Sequence, residues 1–413
     1  MSLASRQPVG IFPGPAAYLL LPEVEDDCGA LDRILRGELE GECPPAWRFF
    51  VAAAAGRVEE GLELTRGDDD ALTAFNRFVL APSAEQLDAC QDRLAGELLE
   101  FSRCVAYTCG LNDSPPTGEG LSGELLAMAL AAASAVDLEA SRSDAAAEKL
   151  KRAAAAAREN SPVFAAMLFG QRCDVLASQP QPAVALAMAD LNEALRLAQS
   201  SRVPTLQAEL LTKQGMLLQG SAGGSRGAML AAIRCYQSAL QHGVTEEDHP
   251  EWFAQLQNNL GLAYLSMPEE GAGGHLRAGL AVQSFRHALK TYTREAHPDM
   301  WASVSMNLAN ALQHAPSSHR QDNLIQAVET YEEVLQVRVR EKDPVAYAMV
   351  LLNQANSLAH LGIFKPALEK LAEACKLFSW HERHEQAATA RELIDLITEQ
   401  KEAVAAAAEP VAN

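Results

Sequence analysis

One segment of this chain comes back at a fixed distance. His249-Pro250-Glu251-Trp252 leads to Asn258-Asn259-Leu260-Gly261; His297-Pro298-Asp299-Met300 leads to Met306-Asn307-Leu308-Ala309; Asp343-Pro344-Val345-Ala346 leads to Leu352-Asn353-Gln354-Ala355. Fainter copies begin at Pro204 and Pro162, so the five prolines stand 42, 46, 48 and 46 residues apart. A period of this size means stacked supersecondary units, each burying the apolar face of its neighbour. Stacked units build extended surfaces for partners more readily than single catalytic clefts.

Each copy opens on a proline, whose missing N–H costs nothing in the first turn of a helix. Eleven residues on comes a small residue, Gly215, Gly261, Ala309 or Ala355, which lets a second helix cross closely. After a loop comes a second pattern: Ala187-Leu191-Ala194-Leu195, Ala232-Tyr236-Ala239-Leu240, Ala281-Phe285-Ala288-Leu289, Ala327-Tyr331-Val334-Leu335 and, weakly, Ala367-Leu371-Ala374-Cys375. Spacings of four, three and one put these residues on one helix face. Each unit is therefore expected to be helix A, loop, helix B. Ala146-Leu150-Ala153-Ala154 extends the series upstream, with a helix A from Gly123. Six pairs are expected, and a closing helix after them.

The small residue on helix A and Ala-x3-aromatic-x2-Ala on helix B resemble the tetratricopeptide (TPR) repeat. The His-Pro-Glu/Asp opening, the Asn-Asn-Leu-Gly run and the long period resemble its kinesin-light-chain type. The resemblance covers Pro204 to Phe378 strongly, reaches back to Leu121, and is absent before that. It implies an all-α fold, a right-handed superhelical solenoid of about six helix pairs with helix A on the concave side. The expected organisation is an acidic helical region over 1–111, a linker over 112–123, repeats over 124–380, a capping helix over 381–404 and a tail over 405–413. Within the first region, helices are expected near 29–39, 45–66, 71–80 and 84–108, the third capped by the run Asp68-Asp69-Asp70. The region reads either as a separate subdomain or as degenerate repeats.

Charge narrows the partners. The 413 residues carry a formal charge of −20, and residues 1–120 alone hold 21 acidic against nine basic side chains. Such a chain repels phosphate backbones and anionic bilayers, so neither nucleic acid nor membrane is expected as partner. No apolar run reaches bilayer length and no secretion signal is visible, so a cytoplasmic protein is expected. The eight cysteines lie scattered in helical stretches and read as reduced, buried thiols.

The sharpest candidate site is a row of amides. Asn259, Asn307 and Asn353 occupy one register position, two before the small residue, where earlier copies carry Lys213 and Gln171. Asn310 and Asn356 share a second position three residues on, close to the same face. Asparagine is a middling helix former, and its amide can both donate to and accept from the backbone of an extended peptide. The alternative is that these amides bond neighbouring helices. In TPR proteins the matching position faces the groove, so the resemblance implies Lys213, Asn259, Asn307, Asn310, Asn353 and Asn356 as partner-binding residues. With Lys213 the only base at the shared position, a grip on a C-terminal carboxylate is not expected.

Other features point to no chemistry. His249 and His297 read as turn or cap residues. His381 and His384 lack a third metal ligand at convincing spacing, and Cys104-x4-Cys109 lacks a second pair. The glycine runs at 220–227 and 271–279 neither follow a strand nor precede Lys-Ser/Thr, and read as loops between helices A and B. No catalytic residue, cofactor or metal is expected. The function expected is a non-enzymatic scaffold or adaptor that binds a protein or peptide segment in the concave groove. The alternatives are an assembly or maturation chaperone for a larger enzyme complex, and an enzyme with its site in the N-terminal region. Self-association stays open.

Overall fold

The computed structural model describes residues 2–67, 70–268, 273–315 and 320–408. It is all-helical: among the described residues no strand forms, and one isolated antiparallel bridge joins Leu3 to Pro22. Six short helices come first: α1 (Ala30–Leu35), α2 (Arg48–Ala54), α3 (Val58–Glu63), α4 (Ala71–Leu80), α5 (Ala84–Gln91) and α6 (Gly96–Thr108). The repeats follow with A and B helices alternating as the spacing predicts. The A helices are α7 (Gly123–Glu139), α9 (Pro162–Ala177), α11 (Leu206–Gly220), α13 (Pro250–Leu265), α15 (Pro298–His314) and α17 (Pro344–His360). The B helices are α8 (Ser143–Ala157), α10 (Val184–Leu197), α12 (Arg226–Gln241), α14 (Gly273–Thr291), α16 (Arg320–Leu335) and α18 (Phe364–Trp380). The chain closes on α19 (His384–Ala408), four residues longer at its C-terminal end than the capping helix expected.

The apolar spacing of the B helices does what it predicts. Ala232, Tyr236 and Ala239, Ala281, Phe285 and Ala288, and Ala327, Tyr331 and Val334 are all fully buried. The small residue of helix A is equally well explained: a Cβ placed on Gly261 would lie 2.5–2.8 Å from three ring atoms of Phe285. Pro162, Pro250, Pro298 and Pro344 each sit in the first turn of their helix. Ala387, Ala390 and Ile397 of α19 are buried against α17 and α18, so the last pair is covered.

Contacts divide the chain into two units, Met1–Leu217 and Leu218–Asn413, with the division falling inside α11. In the first unit the N-terminal region and the first repeats share one core, running from Val9 through Trp47, Phe75 and Phe101 to Ala129, Phe164 and Leu191. The segment over 112–122 is not helical but is fastened at both ends. Asn112 donates to the Arg103 carbonyl, and Ser122 donates through its backbone N–H and its hydroxyl to Glu97.

Several expectations need correction. The helix expected over 45–66 is broken at Gly56, in the left-handed region at φ +81°, and that over 84–108 is interrupted over 92–95, just before Gly96 opens α6 at φ +58°, backbone that L side chains seldom adopt. Asp70 does cap α4, accepting from the N–H groups of Leu72 and Thr73, while Asp68 and Asp69 lie outside the described residues. His249 and His297 hold the N-cap position but cap nothing with their side chains; Asp343 does, accepting from the Ala346 N–H. Gly227 lies in α12, and Gly273, Gly274 and Gly279 lie in α14, not in loops; Gly271 lies outside the described residues. The cysteines are free but not uniformly buried, since Cys28 and Cys109 are exposed.

Candidate functional site

The A helices of the second unit, α13, α15 and α17, lie side by side. Each turns one side to the B helices. For α15 that side is Ala302, Val304, Ser305, Leu308, Ala309 and Leu312, all buried. The opposite side is half-open, and the asparagines sit there: Asn259, Asn307, Asn310, Asn353 and Asn356 are all half-buried. The helical period explains the shared side, since positions three, four and seven apart stack along one face.

The amides divide by role. Asn307 donates through Nδ2 to Oδ1 of Asn258 on the preceding A helix, at 3.1 Å. Asn356 donates to Gln313 at 3.0 Å, again one A helix back. Asn310 accepts from the Tyr331 hydroxyl, which itself accepts from Gln313 at 2.9 Å. Burial pushes the Tyr331 phenol well above its ordinary pKa, so it stays a donor. These three asparagines therefore tie helix to helix. The side-chain amides of Asn259 and Asn353 have no hydrogen-bond partner among the described residues.

Lys213 belongs to the first unit and is not a free cation. Its amine contacts Asp174 of α9 and Glu209 of its own helix. Burial alone would pull its pKa down, but the two carboxylates outweigh that and hold it above the ordinary lysine value. Gln171, at the same register position, is exposed.

The A helices themselves add little charge to the open face in the second unit, although Arg338 reaches it from beyond α16 and donates to Ser303 of α15 at 2.7 Å. Methionines and one tryptophan flank the amides: Met300 is 40 % exposed, and Trp252, Met306 and Met349 are half-buried. The only acidic residues on the three A helices are Glu251 and Asp299, both in first turns, and none of the three carries a lysine or arginine. The other end of this face carries His314 and His360. Burial, helped by Arg320 and His314, holds His360 below its ordinary pKa, so it is neutral near pH 7.

A signal in the sequence could have marked one of the tied amides, Asn310, whose partner is Tyr331. Tyr236 and Tyr331 on B helices each meet a glutamine four residues past the small residue of helix A, Gln219 and Gln313. Where helix B carries Phe285 or Leu371 instead, that position is Leu265 or Ala359. Hydroxyl and amide come and go together.

In the N-terminal region a cavity of about 390 Å³ is lined by Leu87, Glu100, Arg103, Cys104, Asn112 and Thr117, among others. Of its two acids, Glu100 is paired with its one base, Arg103, at 2.6 Å, and Glu119 is the other. Burial pushes the Cys104 thiol up to about 12, so it is not a nucleophile near neutral pH. Among the described residues no group of three or more metal-ligating side chains converges, His381 and His384 included. No described helix is long and apolar enough to cross a membrane.

No family model matches the chain, and no curated protein matches it. Solved structures do. YrrB, a TPR protein with an unusual peptide-binding site, is 19 % identical over 60 % of this chain and 99 % of its own, with a TM-score of 0.39. BtubC (BKLC) from P. vanneervenii is 19 % identical over 60 % of this chain and 92 % of its own, at 0.45. A Rap protein complexed with competence and sporulation factor is 14 % identical over 91 % of this chain and 97 % of its own, at 0.41.

Proposed function

We propose that this chain is a non-enzymatic interaction scaffold, and that the open face of α13, α15 and α17 holds an extended segment of a partner protein. The observation that carries this is the pair of unpartnered amides, Asn259 and Asn353, half-exposed in a row whose other members are tied down. An amide held in a rigid frame offers a donor and an acceptor to a passing backbone, whatever side chains that backbone carries. Asn307 stands between them and, although bonded to Asn258, keeps its own oxygen as an acceptor. The tied amides fix the spacing of the helices, so the free ones are already placed when the partner arrives.

The test is affinity purification from the source cells with the full chain and with the triple variant Asn259→Ala, Asn307→Ala, Asn353→Ala, partners being quantified by mass spectrometry. Each neutral hydrogen bond contributes about 0.5–1.5 kcal/mol, so the triple change should weaken binding by about one to three orders of magnitude. Helical content should hold, because alanine is the better helix former. Partners recovered equally by both proteins would defeat the reading. The kind of partner then separates two roles: stable complexes mean an adaptor, unassembled subunits an assembly factor.

A further inference from the structure

The exposed aliphatic side chains of the last three helix pairs gather at one end. Leu276 and Leu280 stand in the first half of α14, Ile325 in the second turn of α16, and Ile363 at the N-cap of α18; all four are exposed, Leu276 at 68 %. Each B helix starts where its A helix ends, so this is the A-to-B edge of the pairs. Single exposed apolar side chains are ordinary, but a row along one edge marks an interaction surface.

The same edge collects histidine. His275 in the first turn of α14, His314 at the end of α15 and His360 at the end of α17 are all exposed. His275 contacts the His314 carbonyl through Nδ1 at 3.3 Å. A carbonyl only accepts, so Nδ1 holds the proton there and Nε2 is the nitrogen that takes a second one. Burial first, then Arg320 and His314, hold His360 below its ordinary pKa, so these three bases lie within electrostatic reach of one another.

Fixed charges around the histidines are few. Among the described residues, the first five positions of α14, α16 and α18 hold Arg277, Arg320, Asp322 and Lys365, and the last turns of α13, α15 and α17 add only histidines. Arg277 donates to a neutral partner, the Pro268 carbonyl. Glu269 and Glu270 fall in the sequence between α13 and α14, and His319 between α15 and α16, outside the described residues. By sequence, then, three fixed bases meet three acids and four histidines. This edge is near neutral while the histidines are neutral and turns positive as they take up protons, in a chain whose formal charge is −20.

We propose that the A-to-B edge of the second unit is a docking surface distinct from the amide row, and that it takes an acidic, leucine-bearing segment of a partner protein under mildly acidic conditions. Carboxylates stay ionised below the pH at which imidazoles charge, so the two sides are oppositely charged between about pH 5 and pH 6.5. A bound carboxylate relieves the repulsion among Arg320, His314 and His360. Leu276, Ile325 and Ile363 cover the aliphatic side chains of the segment from water. A nucleic acid would bring negative charge but nothing aliphatic to set against these three.

The experiment uses the full-length protein and two fluorescent peptides, one of four Glu-Glu-Leu repeats and one of four Gln-Gln-Leu repeats. Anisotropy is read at about pH 7.8 and about pH 5.8, on either side of the histidine range. The acidic peptide should bind saturably at the lower pH, and about tenfold more weakly both at the higher pH and when Glu is replaced by Gln. The double variant His314→Gln, His360→Gln should flatten the pH response, and Leu276→Ser should weaken binding at the lower pH. The triple asparagine variant should bind as the unaltered protein does; its failure to bind would place the peptide in the open face and overturn the proposal, while leaving the groove reading intact. No binding at the lower pH overturns it as well, as does a pH response kept by the double histidine variant. Helical content, followed by circular dichroism, should be equal at both pH values. A loss at the lower pH would assign the response to the fold and defeat the proposal.

Discussion

The A helices of the two units follow one plan and meet different fates. In the first unit α7 and α9 are buried nearly all round: Leu125, Met128, Ala129 and Leu130 of α7, and Phe164, Ala165, Leu168 and Val175 of α9, are all inside. One side of them is closed by B helices and the other by the chain's own N-terminal region. In the second unit α13, α15 and α17 keep a half-open side of amides and methionines. A helix that is apolar all round has to be covered on all sides, whereas one with a polar stripe does not. The repeat therefore tolerates a covered or an open A face, and the composition of helix A decides which. Function follows from that difference, because only an uncovered face is available to a partner.

The strongest way to break this comparison is to remove the cover. Val9, Leu19, Leu20 and Leu21 are fully buried, and each such side chain contributes about 1.5–3 kcal/mol by its burial. Their sum rivals the whole stability of an ordinary domain, about 5–15 kcal/mol. Deleting residues 2–22 should therefore expose the apolar sides of α7 and α9 and unfold the first unit. Hydrogen exchange read by mass spectrometry should show protection lost in α7 and α9 and kept in α15 and α17. Protection kept throughout would mean that the segment is an accessory and that the two A faces do not differ as described.

A smaller effect sharpens the same contrast at two glycines, each lying under a phenylalanine ring. Gly10 meets Phe164 from the covering segment, and Gly261 meets Phe285 from within a helix pair. Phe285 is fully buried and cannot swing aside, so Gly261→Ala overpacks, at a cost of about 1–3 kcal/mol. Alanine's better helix propensity returns up to about 1 kcal/mol of this. Gly10 has no such return. It sits at φ +77°, where a Cβ adds roughly 1–2 kcal/mol of strain, so Gly10→Ala should be the more damaging. Urea midpoints of the two variants should order in that way; the reverse order would mean that the segment over Gly10 is loosely seated.

The repeats were legible because their signals are local and periodic. Pro250, Gly261 and Phe285 announce a helix start, a close crossing and the ring that crosses, and the structure places them so. Two things were not legible. The breaks at Gly56 and just before Gly96 look like tolerated helix glycines until the chain is seen to turn there. The covering role of Gln7–Pro22 is a long-range fact: nothing near Gly10 in the sequence says that Phe164 lies above it. Its one visible trace was the apolar excess of α7 and α9, which has no polar side to offer water. The candidate site was half legible. Register located the asparagines, but which of them are free depends on partners up to 49 residues away, as Asn307 and Asn258 illustrate.

The finest distinction concerns the tied amides. In the α15–α16 pair Tyr331 donates to Asn310 and accepts from Gln313, whereas the α13–α14 pair carries Phe285 with Leu265 at the matching places. If the polar trio serves only to join its helices, a neighbouring repeat shows that an apolar version also packs. Tyr331→Phe alone should cost about 1–3 kcal/mol, because Asn310 and Gln313 lose their shared partner in a half-buried place. The double variant with Gln313→Leu should lose less than the sum of the singles, since replacing both members of a hydrogen-bonded pair by apolar groups of similar shape is nearly neutral; the acceptor that Asn356 loses with Gln313 is lost in the single and the double alike and drops out of the coupling. The coupling, read from urea unfolding of the two single variants and the double, should therefore be favourable and about 0.5–1.5 kcal/mol. Peptide binding at Asn259 and Asn353 should be unchanged, because neither amide belongs to the trio. A double variant whose loss equals the sum of the singles would show that the trio holds the helices apart at a set distance. The tied amides would then shape the open face as much as the free ones fill it.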